Sequence, residues 1–286
     1  MLTKAAGQGM SVSKETAQPM LPVPTKVLSE RRALITGSTA GLGQAIAARL
    51  AEAGCSVMLH GLEAPDAVES QRQALAQRTG AQVAYHRADL STPAGVETLV
   101  AAASAELGGV DILINNAVVR HFASIMDFPP EQWDLALAVN LSAIFHAVRL
   151  LLPRMRAQNF GRIFNITSVY GLRGTPGRVG YVTTKSAILG LTRAVALENL
   201  DVDVTCHSLC PGSVLTPGTE SRVEELMADR RIDRGAAERL FLEGKQPGGS
   251  FVSPQSVSDL LVFLCGPIAR DMTGAMLPVE GGWLAS

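Results

Sequence analysis

The 286-residue chain has no run of lysine or arginine, and its 25 basic and 26 acidic side chains leave a formal net charge of −1. Nothing electrostatic therefore points to nucleic acid or an anionic membrane, and a small neutral or anionic substrate fits better. A Cys-x-x-Cys pair is also missing. The four cysteines, Cys55, Cys206, Cys210 and Cys265, have no companion set of His and Cys at ligand spacing. Buried reduced thiols are expected, with no metal site and no disulfides. No apolar run approaches the ~18 residues that span a bilayer, and no apolar leader core stands at the N-terminus. The cytoplasm is the expected compartment.

What the chain does have is apolar mass. Hydrophobic residues make up 47 % of the sequence, enough for a substantial core in one large domain. Residues 1–30 are rich in Ala, Gln, Ser, Lys, Thr and Pro and lack periodicity, so they are expected to form a loosely ordered extension. Met10 and Met20 leave a later natural start open. The domain is expected to occupy residues 31–286.

Within it, strand-like and helix-like stretches alternate. Ala-Leu-Ile-Thr at 33 to 36 reads as a buried strand, followed by Gly37, Gly41 and Gly43 and a helical pattern from Gln44. Glycines between a strand and a helix start let backbone N–H groups approach a pyrophosphate, with the helix dipole favouring its charge; a tight turn is the plain alternative. A second strand, 56 to 60, ends in Gly61-Leu62-Glu63, where an adenosine ribose would sit. No arginine or lysine stands there to meet a 2′-phosphate, which favours NAD over NADP. Glu63 either bonds ribose hydroxyls or is an exposed loop glutamate. A third strand near 83 to 87 leads to Asp89 and Leu90, with Asp89 either contacting adenine or ending the strand. Ile112-Leu-Ile-Asn115-Asn116-Ala117 is a fourth.

Apolar residues recurring from Leu141 to Met155 mark an amphipathic helix with Asn140 at its start. A fifth strand, 162 to 166, delivers Ser168. The helix from Tyr181 to about residue 199 is apolar around much of its circumference, which suits either a subunit interface or a deep core. A sixth strand, 202 to 209, runs to Pro211-Gly212, and residues 218 to 250 switch to short charged helical patches, as a lid over a site does. A last helix starts at Ser253-Pro254 and a last strand spans 276 to 279. The alternation predicts an α/β fold, a Rossmann-like doubly wound parallel sheet.

The chemistry centres on Tyr181 and Lys185. Four residues apart, they project from one face if the segment is helical. An ammonium beside a phenol favours phenolate and lowers a pKa that is otherwise ~10, so the tyrosine can exchange protons near neutrality. Ser168 offers a hydroxyl to hold a carbonyl or alcohol oxygen beside it. Alone, Tyr-x-x-x-Lys is also an ordinary helix pair.

The set Thr36-Gly37 with Gly41 and Gly43, Asp89, Asn115-Asn116-Ala117, Asn140, Ser168, Tyr181 with Lys185, Pro211-Gly212 and Thr216 resembles the short-chain dehydrogenase/reductase family over residues 31 to 284. Within it, Asp127-Phe-Pro129, Glu131-Gln-Trp133, Asn140-Leu-Ser-Ala-Ile-Phe-His146, Lys245-Gln-Pro247, Phe251-Val-Ser-Pro254 and Gly281-Gly-Trp283 are similar to bacterial D-3-hydroxybutyrate dehydrogenases. The resemblance implies a homotetrameric oxidoreductase transferring hydride between nicotinamide and the hydroxyl or keto carbon of a small acid. Tyr181, Lys185, Ser168 and Asn140 would be catalytic, with Asn140 holding a water that links the lysine to solvent. The implied cofactor-binding set is Gly37, Thr39, Gly41, Leu42, Gly43, Leu62, Asp89, Leu90, Asn116, Ala117, Tyr181, Lys185, Pro211, Gly212, Val214 and Thr216.

Departures fall mostly in the substrate pocket. The family's Asn-Asn-Ala-Gly has Val118 in the glycine place. The hydroxybutyrate enzymes bind their carboxylate with glutamine, histidine, lysine and tryptophan, where this chain carries Arg120, Tyr170, Arg178 and Ser213, while Trp283 matches their other tryptophan. Two arginines still offer planar forks for a carboxylate or phosphonate, unless they are merely solvated. The expected substrate is a 3-hydroxy or 3-oxo acid larger or more polar than hydroxybutyrate. The competing readings are a reductase of a sugar, polyol or 3-oxoacyl thioester, and a dinucleotide-binding regulator without turnover.

Overall fold

Short runs rich in apolar residues become the strands of one seven-stranded sheet in the computed structural model, which describes residues 26–286. These are β1 (Arg32–Ile35), β2 (Ser56–Gly61), β3 (Val83–Arg87), β4 (Ile112–Asn115), β5 (Gly161–Ile166), β6 (Val204–Pro211) and β7 (Met276–Val279). Every pairing is parallel and the order is β3-β2-β1-β4-β5-β6-β7. Parallel strands need crossovers, so helices cover both faces and the strands read as continuous apolar stretches rather than alternating ones. β5 and β6 are buried at every residue. The order reverses between β1 and β4, and there the carboxyl ends open a crevice suited to a ligand.

Helices α1 (Gly41–Glu52), α2 (Pro65–Thr79), α3 (Pro93–Leu107), α4 (Pro130–Leu137), α5 (Ala143–Ala157), α6 (Val179–Leu197), α7 (Pro217–Arg230), α8 (Arg234–Leu242) and α9 (Pro254–Phe263) complete the fold. One core layer joins α1 and α9 to a face of the sheet through Ile46, Leu50, Val257 and Leu261; the other joins α3, α5 and α6 to the opposite face through Leu99, Ile144, Leu151 and Ile188. Each such side chain is worth about 1.5–3 kcal/mol on burial.

Three sequence expectations change. Order begins before residue 31: Leu28 is buried and its N–H donates to the Ala53 carbonyl at 2.9 Å, closing the bottom of the sheet. The expectation for residues 1–25 lies outside the described residues. The helix expected from Leu141 is part of a longer run, Pro130–Ala157, in which one π-turn (Ala138–Ser142) joins α4 to α5. Pro130 starts it, supplying a fixed φ where no N–H is needed. Asn140 therefore sits inside a helical run, not at its beginning. That run also contains an 18-residue window of mean hydropathy 1.9, of which 39 % is buried, so an apolar helical stretch of that length does exist. Its buried stripe, Ile144, Ala147, Val148, Leu151 and Met155, belongs to the core layer shared with α3.

The region expected as short charged helical patches between loops folds as the two helices α7 and α8, packed on each other. Arg234 of α8 donates to Glu220 of α7 and, at 2.8 Å, to Glu238. All four cysteines are buried and unpaired, and burial pushes Cys206, Cys210 and Cys265 up to about 12.

β6 also carries His207 into the interior, where its ring stacks on Phe164 at 5.7 Å between centroids. Burial, reinforced by Arg162, drives its pKa from 6.5 down to about 4; the Met272 carbonyl opposes this only in part and makes no sound hydrogen bond to the ring. Above pH 6.5 the group is neutral in both the folded and unfolded chain. Between 6.5 and about 4 only the unfolded chain takes up the proton, so stability falls with falling pH by up to about 1.4 kcal/mol per unit. Urea unfolding at a series of pH values is expected to show this slope, and His207→Asn to reduce it. Buried His60 adds a component of the same sign.

Candidate active site

The first turn after β1 is built from glycine because nothing else fits. Gly37 and Gly41 hold φ of 62° and 59°, and a Cβ on Gly43 would stand 2.2 Å from the Gly37 carbonyl oxygen. The turn is pinned from two sides. Asn116 donates to the Thr36 and Gly37 carbonyls at 3.0 and 2.7 Å, and Thr36 Oγ1 accepts from the Asn116 and Ala117 N–H groups. From the other side His60 Nδ1 accepts the Gly37 N–H at 2.9 Å, so its Nε2 carries the proton toward the Ala88 carbonyl. Burial keeps this imidazole neutral by lowering its pKa. α1 begins without a side-chain cap and with no acid in its first turn. Its leading N–H groups are left for a ligand, and a pyrophosphate is the chemistry that suits them.

At the end of β5, Ser168 opens a short 3₁₀ turn, and α6 places Tyr181 and Lys185 one turn apart beside it. Lys185 is buried and its Nζ donates to the Ile166 carbonyl at 2.6 Å. Burial lowers its pKa, against the pull of Tyr181. For Tyr181 burial acts upward, but the Lys185 ammonium, the Arg120 guanidinium and a hydrogen bond with Ser168 outweigh it, and the phenol lies below its ordinary value of 10. Asn140 is fully buried: its Oδ1 accepts from the Val119 N–H at 2.8 Å and its Nδ2 donates to the Val119 carbonyl at 3.0 Å. It thereby fixes the strand-end loop that carries Val118 and Arg120.

These elements surround a cavity of about 400 Å³. Its far wall is aromatic and cationic. Trp283 packs edge-on to Tyr170 at 5.3 Å, with its carbonyl accepting from Arg173, so the C-terminal segment is folded over the site. Arg120, Arg178, Arg222 and Lys245 line the cavity with Lys185, and among the described residues no aspartate or glutamate does.

Residues 31–226 match the family model described as short chain dehydrogenase. The chain belongs to the short-chain dehydrogenase family. It is 40 % identical to a D-beta-hydroxybutyrate dehydrogenase of Cupriavidus necator over 259 residues, covering 91 % of this chain and all of that protein. A D-beta-hydroxybutyrate dehydrogenase of Rhizobium meliloti is likewise 40 % identical, over 89 % of this chain and 99 % of that one. Among solved structures, the L-sorbose reductase of Gluconobacter frateurii, complexed with NADPH and L-sorbose, superposes with a TM-score of 0.85 at 29 % identity, covering 90 % of this chain and 98 % of that one. The dehydrogenase is thus a nicotinamide-dinucleotide-dependent oxidoreductase of a small molecule, with the doubly wound sheet its sequence predicts.

In this dehydrogenase the cavity wall contains Gly37, Gly41, Leu42, Gly43, Asn116, Ala117, Arg120, Ser168, Tyr170, Arg178, Tyr181, Lys185, Pro211, Gly212, Ser213, Val214, Thr216 and Trp283 of the residues singled out from sequence. Thr39, Leu62, Asp89, Leu90 and Asn140 are not on it. Thr39 donates to Glu63 at 2.9 Å, Leu62 is 62 % exposed, Asp89 accepts from the Ser91 N–H, and Leu90 packs in the core. Five further residues shape the site without having stood out in the sequence. His60 holds the glycine turn; Gln246 accepts from the Ser213 N–H and donates to the Ser250 carbonyl, shaping the loop after β6; Arg222, Phe241 and Lys245 reach the cavity from the α7–α8 pair. A buried histidine ending an apolar strand was a legible signal. The others lie in the segment expected as a lid, whose sequence pattern does not say which side chains turn inward.

The chain has three tyrosines, and Tyr181 is lowered while burial raises Tyr85. Near-ultraviolet titration of phenolate is expected to show an early step that Tyr181→Phe removes and Arg120→Met moves to higher pH. An unchanged first step in Tyr181→Phe would refute this arrangement.

Proposed function

We propose that this dehydrogenase interconverts the hydroxyl and keto forms of a small hydroxy acid with NAD as cofactor. The observation that carries the reading is the Tyr181 phenol, lowered by Lys185, Arg120 and Ser168, at the wall of a cavity shared with the glycine turn. A bound nicotinamide dinucleotide supplies or removes the hydride. The chain's own residues do the rest. Tyr181 exchanges the hydroxyl proton, Ser168 holds the reacting oxygen, and Lys185 keeps the phenol acidic and bonds the nicotinamide ribose. Asn140 fixes the loop and holds a water that leads from the lysine to solvent. Arg120 stands 5.4 Å from the centre of the Tyr181 ring, so a carboxylate paired with it keeps the carbon it flanks beside the phenol.

The expected cofactor-binding roles of Thr39, Leu62, Asp89 and Leu90 remain part of this reading, at the adenosine end. Glu63, bonded to Thr39, puts a carboxylate where a 2′-phosphate would sit, which supports NAD. Arg87 stands in register with Gly61 on the next strand, a cation at the same end of the site. A sugar or polyol reductase is the second reading, supported by the likeness to L-sorbose reductase. The cationic wall favours the acid. A regulator without turnover would have no use for a lowered phenol.

Following NADH absorbance with acetoacetate and larger 3-oxo acids is expected to show reduction, weaker with NADPH. Tyr181→Phe should lose at least about 10²-fold in rate. Activity on neutral ketoses alone would replace the acid with the sugar reading.

We further propose a cytoplasmic homotetramer. Phe145 on α5 is 53 % exposed and Leu197 at the end of α6 is 68 % exposed, apolar area that a second copy would cover. Light scattering is expected to give four chains per particle, and Phe145→Glu to give a smaller one. A monodisperse monomer would refute the assembly.

A further inference from the structure

The α7–α8 pair, not the strand ends, supplies the unexplained part of the site. Arg222 projects from α7 and Lys245 from the loop after α8, and both meet Arg178 at the start of α6. The guanidinium carbons of Arg178 and Arg222 each lie 4.7 Å from the centre of the same ring, Phe122, while Lys245 Nζ lies 3.8 Å from that of Phe241. Arg178 occupies the N-cap of α6, the helix end at which the backbone dipole disfavours a cation, and no acid in the first turn offsets it. None of the three makes an ion pair among the described residues. Glu225 on α7 attracts Arg222 but lies outside the cavity wall.

Like charges left this close without a counter-ion repel one another. Burial, with Arg178 and Arg120, lowers the pKa of Arg222; burial, with Arg178 and Arg222, lowers that of Lys245. The open N-terminus of α1 already provides for a pyrophosphate, and Arg120 alone suffices for one carboxylate beside Tyr181. The remaining cluster is matched to a second anion.

We propose that the substrate is a dianion, a hydroxy or oxo acid whose first anionic group pairs with Arg120 and whose second is held by Arg178, Arg222 and Lys245. This rests on the reading of Tyr181 as the proton-exchanging group. It makes Arg222 and Lys245 specificity-determining residues contributed by α7 and the loop after α8. The second group is a carboxylate or a phosphonate; both offer the paired oxygens that arginine forks and an ammonium bind.

The test compares 3-oxohexanoate, 3-oxoadipate and 5-phosphono-3-oxopentanoate, which share the reacting ketone and differ in the far end. With NADH and the full chain, kcat/KM is expected to be at least about 30-fold higher for a doubly charged compound than for 3-oxohexanoate. Which of the two leads distinguishes carboxylate from phosphonate. Arg222→Met and Lys245→Met should each cut that preference about tenfold, mainly through KM. Equal use of 3-oxohexanoate, or variants that weaken all three substrates alike, would overturn the proposal. A binding arm separates it from the proposed reaction: thermal stabilisation of the NADH complex by adipate against hexanoate. Adipate stabilisation that Arg222→Met abolishes, with no ketone reduced, would keep the anion site and end the hydroxy-acid reading. No advantage of adipate over hexanoate would overturn the dianion whatever the turnover.

Discussion

A buried ammonium needs a reason to stay charged, and that need organises one half of this molecule. Lys185 lies in the interior of α6, buried but for its face on the cavity, with the Ile166 carbonyl accepting from its Nζ and the Tyr181 phenol beside it. Desolvation works against the charge; a phenol that shares its field with the ammonium gains acidity in return. The geometry holds only because β5 ends where it does. Ile166 is the last residue of the strand, so its carbonyl is free of the β ladder, and two residues later Ser168 completes the group around Tyr181. Thr167 ties the same corner to α6 by donating to the Lys185 carbonyl at 2.9 Å.

The other half depends on close approach of backbone to backbone. The glycine turn, the end of β4 and the end of β2 are fastened by Asn116, Thr36 and His60, none of which carries charge. A fixed arrangement of neutral donors and acceptors leaves the first N–H groups of α1 as the dominant field on that side. Charge enters on the opposite wall. There, three arginines and a lysine from four separate segments face a cavity that has no acid on its wall among the described residues, so the two ends of the site are specialised for different anions. Stacking on Phe122, Phe241 and Tyr170 gives the cationic side chains a rigid support that water alone would not.

Much of this was legible because the constraints are local. A glycine required by positive φ, a Pro at the first helical position, a lysine one turn after a tyrosine and a strand ending in asparagine are each written within a few residues. The boundaries of β3 and β7 fall where the apolar pattern puts them. Asn140 was less legible. Its place inside a helical run depends on Pro130 starting that run early and on a π-turn that the apolar periodicity does not record.

The sequence by itself determined the alternation of strand and helix, the glycine turn and the Tyr-Lys pair, since short-range sterics and helical spacing decide them. Only the tertiary structure shows that α7 and the loop after α8 complete the far wall of the cavity, beside the Arg120, Tyr170, Arg178 and Trp283 that the sequence points to. Arg222 and Lys245 come from a stretch whose charged helical pattern suggests a lid without marking which side chains face the site, and only the folding of α7 and α8 back over the strand ends turns them toward Arg178. Which charges share a cavity is a property of distances between elements far apart in the chain, and no local pattern encodes those.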